Sequence, residues 1–319
     1  MKFFSSKIYH LLLGTLFAVS VFICFVTPIG GSFDDVVTLK MNNVANITPV
    51  KATITTTGYD SISKKFYQAK DLFGTERRIL VDRSQNLNIG DVIVADCNYI
   101  ASDSYFDVSR IERINPAMTL PLIQGLGELG RNILFHVPMS FVAFIAFLLA
   151  TIYSIIFLRT KKMDYDYRAR AASAIGLLFT ILATVTGSIW ARFSWGTFWN
   201  WDPRETSIFI LLLIYVAYFL LRSLLEEGEE KKARIAAVYN IIAFVTVPFL
   251  MFVLPRITQS LHPGSSGTEA PVINLSGKTH TAPILSYILW TNVVLFTLLF
   301  LWMTNLFTIV LRKENEEIN

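Results

Sequence analysis

Cysteine is the scarcest chemistry in this chain. Its two residues, Cys24 and Cys97, fall in an apolar run and in a polar stretch, which disfavours an intramolecular disulfide. No CxxC or CxxCH pattern occurs, so thiol exchange and thioether attachment of a prosthetic group to the chain's own sulfur are disfavoured as well. Histidine is almost as rare: there are four, His10, His136, His262 and His280, and none lies between residues 32 and 117. No GxxxxGKS/T run is present, so the chain carries no phosphate-cradling loop for nucleotide hydrolysis. Charged residues make up only 16%, and the formal net charge of +4 needs no nucleic acid to explain it. The Lys and Arg gather in short loops beside apolar runs.

What fills the chain instead is hydrocarbon. A hydrophobic share of 53%, 25 Phe and a mean hydropathy of +0.49 lie far from a soluble composition and predict a polytopic membrane protein. Six apolar runs are long enough to span, at about 8–29, 133–158, 171–190, 205–221, 235–254 and 283–311. The first follows Lys2 and Lys7, exceeds a typical signal-peptide core and ends without a small-x-small site. It reads as an uncleaved anchor whose N-terminus is cytoplasmic. Lys161, Lys162 and Arg168 mark the loop at 159–170 as cytoplasmic, and the charged stretch at 222–234 and the C-terminal tail fall on the same side. Residues 195–206 and 256–282 then emerge together on the opposite face. The expected fold class is an all-α polytopic membrane protein of six transmembrane helices, with a small all-β extracytoplasmic domain inserted after the first helix.

That domain occupies 32–117, between an anchor at 1–31 and a five-helix membrane domain at 118–319. Segments 51–60, 77–82, 91–100 and 105–114 alternate apolar and polar residues between turn signals such as FGTE and NIGD, and read as strands. Four to six short strands suit a small barrel or a sandwich, an oligonucleotide/oligosaccharide-type barrel being one option. Lacking histidine, the domain reads as a docking or spacing module rather than a second cofactor site.

The densest chemistry lies at 195–206, WGTFWNWDPRET, which joins three of the six Trp to Asp202, Arg204 and Glu205. A charged residue at the bilayer centre costs about 2.5–3.5 kcal/mol, so this segment sits at a membrane face. An interfacial aromatic belt is one reading of it. The other is a flat, polarisable platform for a large planar ligand, with Arg204 or Arg192 available to that ligand's carboxylates. His136, in the first turns of the second span, and His262, in the loop after the fifth, approach the same face from opposite sides. Two imidazoles facing each other across such a platform form the arrangement that ligates haem iron axially. His10, near the cytoplasmic end of the first span, reads as structural, and His280 has no supporting neighbour beyond Lys278.

Three motifs then carry a resemblance: FHVPMSF at 135–141, WGTFWNWDPRETS at 195–207 and SLHPG at 260–264. In this order, on six spans, residues 130–311 and the first span resemble the haem exporter protein C (CcmC) group of the bacterial cytochrome c maturation system, within the wider haem-handling superfamily marked by the tryptophan-rich WWD motif. The resemblance implies a carrier of transient, non-covalent b-type haem at the outer face of the cytoplasmic membrane, with both chain termini cytoplasmic. It implies His136 and His262 as axial ligands, and Trp195, Gly196, Trp199, Trp201 and Asp202 as porphyrin contacts. Arg192, Arg204 and Arg256 are then available to the propionates. The implied partners are a periplasmic haem chaperone and membrane ATP-binding-cassette subunits. Pro203 and Glu205 look more like the related cytochrome c synthetase (CcsA) group, so attachment of haem to apocytochrome c is the alternative function. A structural membrane protein, its Trp serving only as a belt, is the third reading.

Overall fold

The computed structural model describes residues 7–60, 64–102, 104–123, 126–226, 228–262 and 283–318. The chain divides into two compact units, one formed by 22–131 with 281–285 and the other by 1–21, 132–280 and 286–319.

In the first unit the alternating segments close on themselves. Strands β2 (Thr48–Asp60), β3 (Lys64–Asp71), β4 (Glu76–Asp82), β5 (Val92–Ile100) and β6 (Tyr105–Ile114) form a closed barrel in the order β2-β3-β4-β6-β5. The small barrel, rather than the sandwich, is therefore what these strands build. All neighbours are antiparallel except β4 and β6, where Ile79 pairs with Phe106 and Leu80 with Asp107 in parallel. Inward residues including Val50, Ile54, Tyr67, Ile79, Ile93 and Phe106 fill the interior. Burial pushes the Cys97 thiol well above its ordinary range, which keeps it protonated and inert.

The unit is not purely β, as the sequence reading had it. Ahead of the barrel, helix α2 (Phe33–Met41) begins at a capping box in which Ser32 and Asp35 satisfy each other's backbone amides. It buries Phe33, Val36 and Leu39, and the Phe33 ring lies 4.7 Å from that of Phe106. A short parallel pair, β1 (Ile29–Gly30) with β7 (Leu120–Pro121), brings the chain back beside its entry point. Arg131 Nη1 donates to the carbonyls of Cys24 (2.8 Å) and Thr27 (2.7 Å) at the end of α1 (Lys7–Val26).

The second unit is helical. Including α1, six helices among the described residues are long and apolar enough to cross a membrane. The others are α3 (Gly130–Thr160), α4 (Met163–Trp195), α5 (Pro203–Leu224), α6 (Glu229–Pro248) with its continuation through α7 (Leu254–Ile257), and α8 (Pro283–Ile318). Each runs past the apolar stretch legible in the sequence, because the polar ends stay helical. Small residues set the packing between them. A Cβ on Gly176 of α4 would lie 2.8 Å from the Phe147 ring of α3, so only glycine allows that approach. Phe147 in turn stacks on Tyr215 of α5 at 3.5 Å. Inside the bundle Asn240 of α6 donates to Ser154 (3.1 Å) of α3 and contacts Ser173 (3.3 Å) of α4, the polar glue expected where the surroundings offer no water.

Among the described residues, one ion pair stands out as buried on both sides. Arg222 meets Asp166 through two parallel bonds of 2.7 and 2.8 Å, with side-chain exposures of 7% and 2%. Removing one partner strands the other charge in a low-dielectric site. Arg222→Met is expected to destabilise the protein by about 3–5 kcal/mol, and Asp166→Leu combined with Arg222→Met to recover much of that loss. Thermal unfolding in detergent checks this; equal losses in the single and double variants would show that the pair does not act as a unit.

Candidate functional site

The tryptophan segment owes its shape to a helix end followed at once by a helix start. α4 stops because Gly196 adopts φ 84°, a left-handed conformation that glycine enters without steric penalty, and its N–H returns to the Arg192 carbonyl at 3.1 Å. α5 starts because DPRE is a helix-initiating sequence: Asp202 is the N-cap, Pro203 the first helical residue and Glu205 the returning partner of a capping box. Glu205 Oε2 accepts from the amides of Asn200 (2.8 Å) and Asp202 (3.3 Å). Pro203 and Glu205, which looked like a synthetase trait, thus have a local structural explanation. Between the two helices Trp201 is forced to φ 57°, an uncommon conformation for an aromatic residue.

Asp202 does more than cap. Its carboxylate, 4% exposed as a residue, also accepts from Ser260 Oγ (2.9 Å), the Leu261 amide (2.7 Å) and His262 Nδ1 (3.0 Å). Burial pushes the Asp202 carboxyl up, but the bonds from His262 and from the Arg204 and Leu261 amides outweigh it and hold the group well below the usual carboxylate range. The ionised carboxylate makes Nδ1 of His262 the donor. In the neutral ring Nε2 is then the lone-pair nitrogen. The Trp195 ring stands edge-on to the imidazole, with centroids 4.8 Å apart.

His136 is held by other means. Its Nδ1 lies 3.0 Å from Thr186 Oγ1 on α4, a hydroxyl also within reach of the Leu182 (2.9 Å) and Ala183 (3.1 Å) carbonyls. When Thr186 donates to either carbonyl it can only accept from His136, and Nε2 is then the lone-pair nitrogen. Gly187 makes room for the ring: a Cβ there would sit 3.0 Å from His136 Cε1.

Both imidazoles line one cavity of about 440 Å³, a size typical of small-molecule sites. Its apolar wall includes Phe141, Trp190, Trp199, Met251, Phe252 and Pro255. The last three are delivered by a break in the α6 continuation, where Pro248 leads into a π-helical turn at Phe249–Val253, a feature that often marks functional positions. Arg204 and Arg256 add two cations to the lining. Arg204 Nε and Glu205 Oε1 are buried and find no partner among the described residues, an arrangement that leaves hydrogen-bonding capacity for a ligand.

Of the residues singled out in the sequence, His136, His262, Trp199 and Arg204 are brought together on the cavity. Trp195 backs the His262 ring, Asp202 is the buried anchor of the 258–262 segment, and Gly196 is the cap of α4. Trp201 is 69% exposed, and its ring meets Trp199 edge to face at 89°, so these two indoles do not form one flat surface. Arg192 turns back onto the Gly196 carbonyl and lies beside the Phe198 ring. His10 packs against Trp302 at 5.2 Å, whereas His280 lies outside the described residues, as do Pro263 and Gly264 of SLHPG. Sequence reasoning missed Thr186 and Gly187 and gave Ser260 only as part of SLHPG; their roles appear only when separate helices and loops meet.

Fold and site together define a polytopic membrane protein whose helices hold two oriented imidazoles around a partly charged, aromatic-walled cavity. The chain belongs to the heme exporter protein C (CcmC) family, which matches residues 119–319. It is 32% identical over 175 residues to heme exporter protein C of Paracoccus denitrificans, covering 55% of this chain and 70% of that protein. It is 34% identical over 126 residues to a putative cytochrome c biosynthesis ccmC-like mitochondrial protein of Marchantia polymorpha, covering 40% of this chain and 52% of that one. With heme exporter protein C of Escherichia coli K12 it shares 29% identity over 146 residues, 46% of this chain and 59% of the relative. The chain thus spans about half the length of the Marchantia relative.

The Asp202 anchor makes a prediction that needs no ligand. A carboxyl depressed by folding contributes stability that is present above the ordinary carboxylate range near pH 4 and lost as pH falls through the depressed value. Asp202→Asn should therefore raise amide exchange at Leu261 roughly tenfold or more at pH 6–8, while the wild-type segment stays protected down to pH 5. Hydrogen-exchange mass spectrometry of 258–262 reads this directly, and equal protection in both proteins would dismiss the anchor.

Proposed function

We propose that the cavity binds haem as cargo between His136 and His262, at the outer face of the cytoplasmic membrane, for delivery to a periplasmic haem chaperone during cytochrome c biogenesis. The observation that carries this reading is the shared anchoring: each histidine lines the cavity and has Nδ1 held by a polar partner, Asp202 or Thr186, which suits Nε2 of the neutral ring to ligation. Neutral imidazole nitrogen is the donor haem iron takes. When bound, haem brings the iron and the anionic propionates, and this chain's residues supply orientation and charge. Arg204, with its unpartnered Nε, and Arg256 suit the propionates, and Trp199 with Trp190 and Phe252 suits the porphyrin faces. The family relationship supports the same reading, since relatives bear the name heme exporter protein C.

The two ligands differ in strength. An ionised carboxylate behind His262 raises the basicity of its Nε2 more than a hydroxyl does for His136. Such a pair suits a carrier, which must hold and then release non-covalently bound b-type haem. The Lys and Arg of the 159–170 loop orient both termini to the cytoplasm, and membrane ATP-binding-cassette subunits are the partners this role requires for release. The barrel unit serves as a docking or spacing module on the outer side.

Full-length protein in mild detergent, titrated with haem and followed by absorption in both oxidation states, tests the proposal. Wild type is expected to give a low-spin, bis-imidazole spectrum. His136→Ala and His262→Ala should each weaken binding by at least roughly tenfold and shift the spectrum to high spin, with Asp202→Asn falling between. No uptake from excess haem, or spectra indifferent to both histidines, would overturn it.

A further inference from the structure

His136 stands in a turn of α3 that its own helix cannot hold. Pro138 lies inside that helix and has no N–H, so the carbonyl four residues earlier, that of Leu134, loses its helical donor. These two positions bracket His136 on either side. In an apolar surround an unpaired carbonyl is costly, and a helix missing one bond can flex there. The carbonyl is nonetheless satisfied: Asn292 of α8, 1% exposed, donates its Nδ2 to Leu134 O at 2.8 Å. The other end of the same amide is held as well, since Ser20 of α1 donates its hydroxyl to Asn292 Oδ1. That bond fixes which way round the amide points, with Nδ2 facing Leu134. Tolerance at the imidazole is small, because the space above Gly187 on α4 admits the ring with nothing to spare.

We infer that Asn292 is a positioning residue for His136: its side chain replaces the N–H that Pro138 lacks, and Ser20 keeps it oriented to do so. A buried asparagine between membrane helices ordinarily contributes only general adhesion. Here it addresses the one carbonyl that Pro138 orphans, in the turn that carries a cavity-lining imidazole. Two helices remote in sequence from the tryptophan segment thereby set where Nε2 of His136 lies. The inference rests on the reading of His136 as a haem ligand.

The test is a double-variant cycle on the full chain in detergent, with wild type, Asn292→Leu, Pro138→Ala and their combination, read by thermal midpoint without haem and by haem titration. Asn292→Leu alone should lower the midpoint, weaken haem binding roughly tenfold and raise the high-spin fraction. In the Pro138→Ala background residue 138 supplies its own N–H, so the same change should lose most of both effects. Ser20→Ala, a milder variant, should act in the same direction and likewise fall silent in that background. Equal losses in both backgrounds would overturn the inference and leave Asn292 as packing. Coupling in the midpoint without coupling in haem binding would overturn the positioning role while retaining the bond. A His136→Ala protein that binds haem as wild type does would remove the ligand reading, and the haem-free cycle would then decide the Leu134 bond by itself.

Discussion

The Asp202 carboxylate is the point on which the end of the helical unit that carries the tryptophan segment depends. It starts α5, and it gathers the hydroxyl, amide and imidazole of a segment about 60 residues further along the chain. A buried anion is tolerable only when hydrogen bonds replace its lost hydration, and Asp202 accepts four from the protein. Without it, the stretch around His262 would have little to fold against, since its neighbours Ser260 and Leu261 are held through the same two oxygens. The charge therefore has a structural role before any ligand arrives, and orienting an imidazole is a by-product of the same bonds.

The same tendency of buried polar groups to find partners shapes much of the rest of the helical unit. Thr186 links the His136 ring to the Leu182 and Ala183 carbonyls of its own helix. Asn240 ties three helices through Ser154 and Ser173, and Asp166 with Arg222 buries two charges by neutralising both. Among the described residues some buried groups stay unpartnered: Arg204 Nε and Glu205 Oε1 do so beside the cavity, and Tyr215 Oη and Asn240 Oδ1 away from its lining.

Legibility in the sequence followed the range of the interaction. The helices announced themselves by apolar length, and four of the five barrel strands by alternation. Strand β3 escaped notice because its inward positions are Tyr67, Ala69 and Asp71, too weak an apolar signal amid three lysines. Helix α2 was hidden by its brevity, although Ser32 and Asp35 spell a capping box. Around the cavity, the residue types and the pairing of His136 with His262 were readable, and so was the helix start in DPRE, a local code. The outward turn of Trp201, the Thr186 support and the division of labour between Asp202 and Trp199 were not, because each arises from contacts between segments whose spacing carries no periodic trace.

The closed barrel carries one more implication. Every strand in it has neighbours on both sides, so no barrel strand is an edge along its whole length, although β4 and β6 meet only at Ile79–Phe106 and Leu80–Asp107. Closure therefore shifts recognition of the barrel toward side chains and connecting turns, which read shape and charge. Such surfaces exchange partners without unfolding anything. Closure also protects molecules crowded in the plane of a bilayer from zipping together edge to edge, which an open sheet at that density would invite.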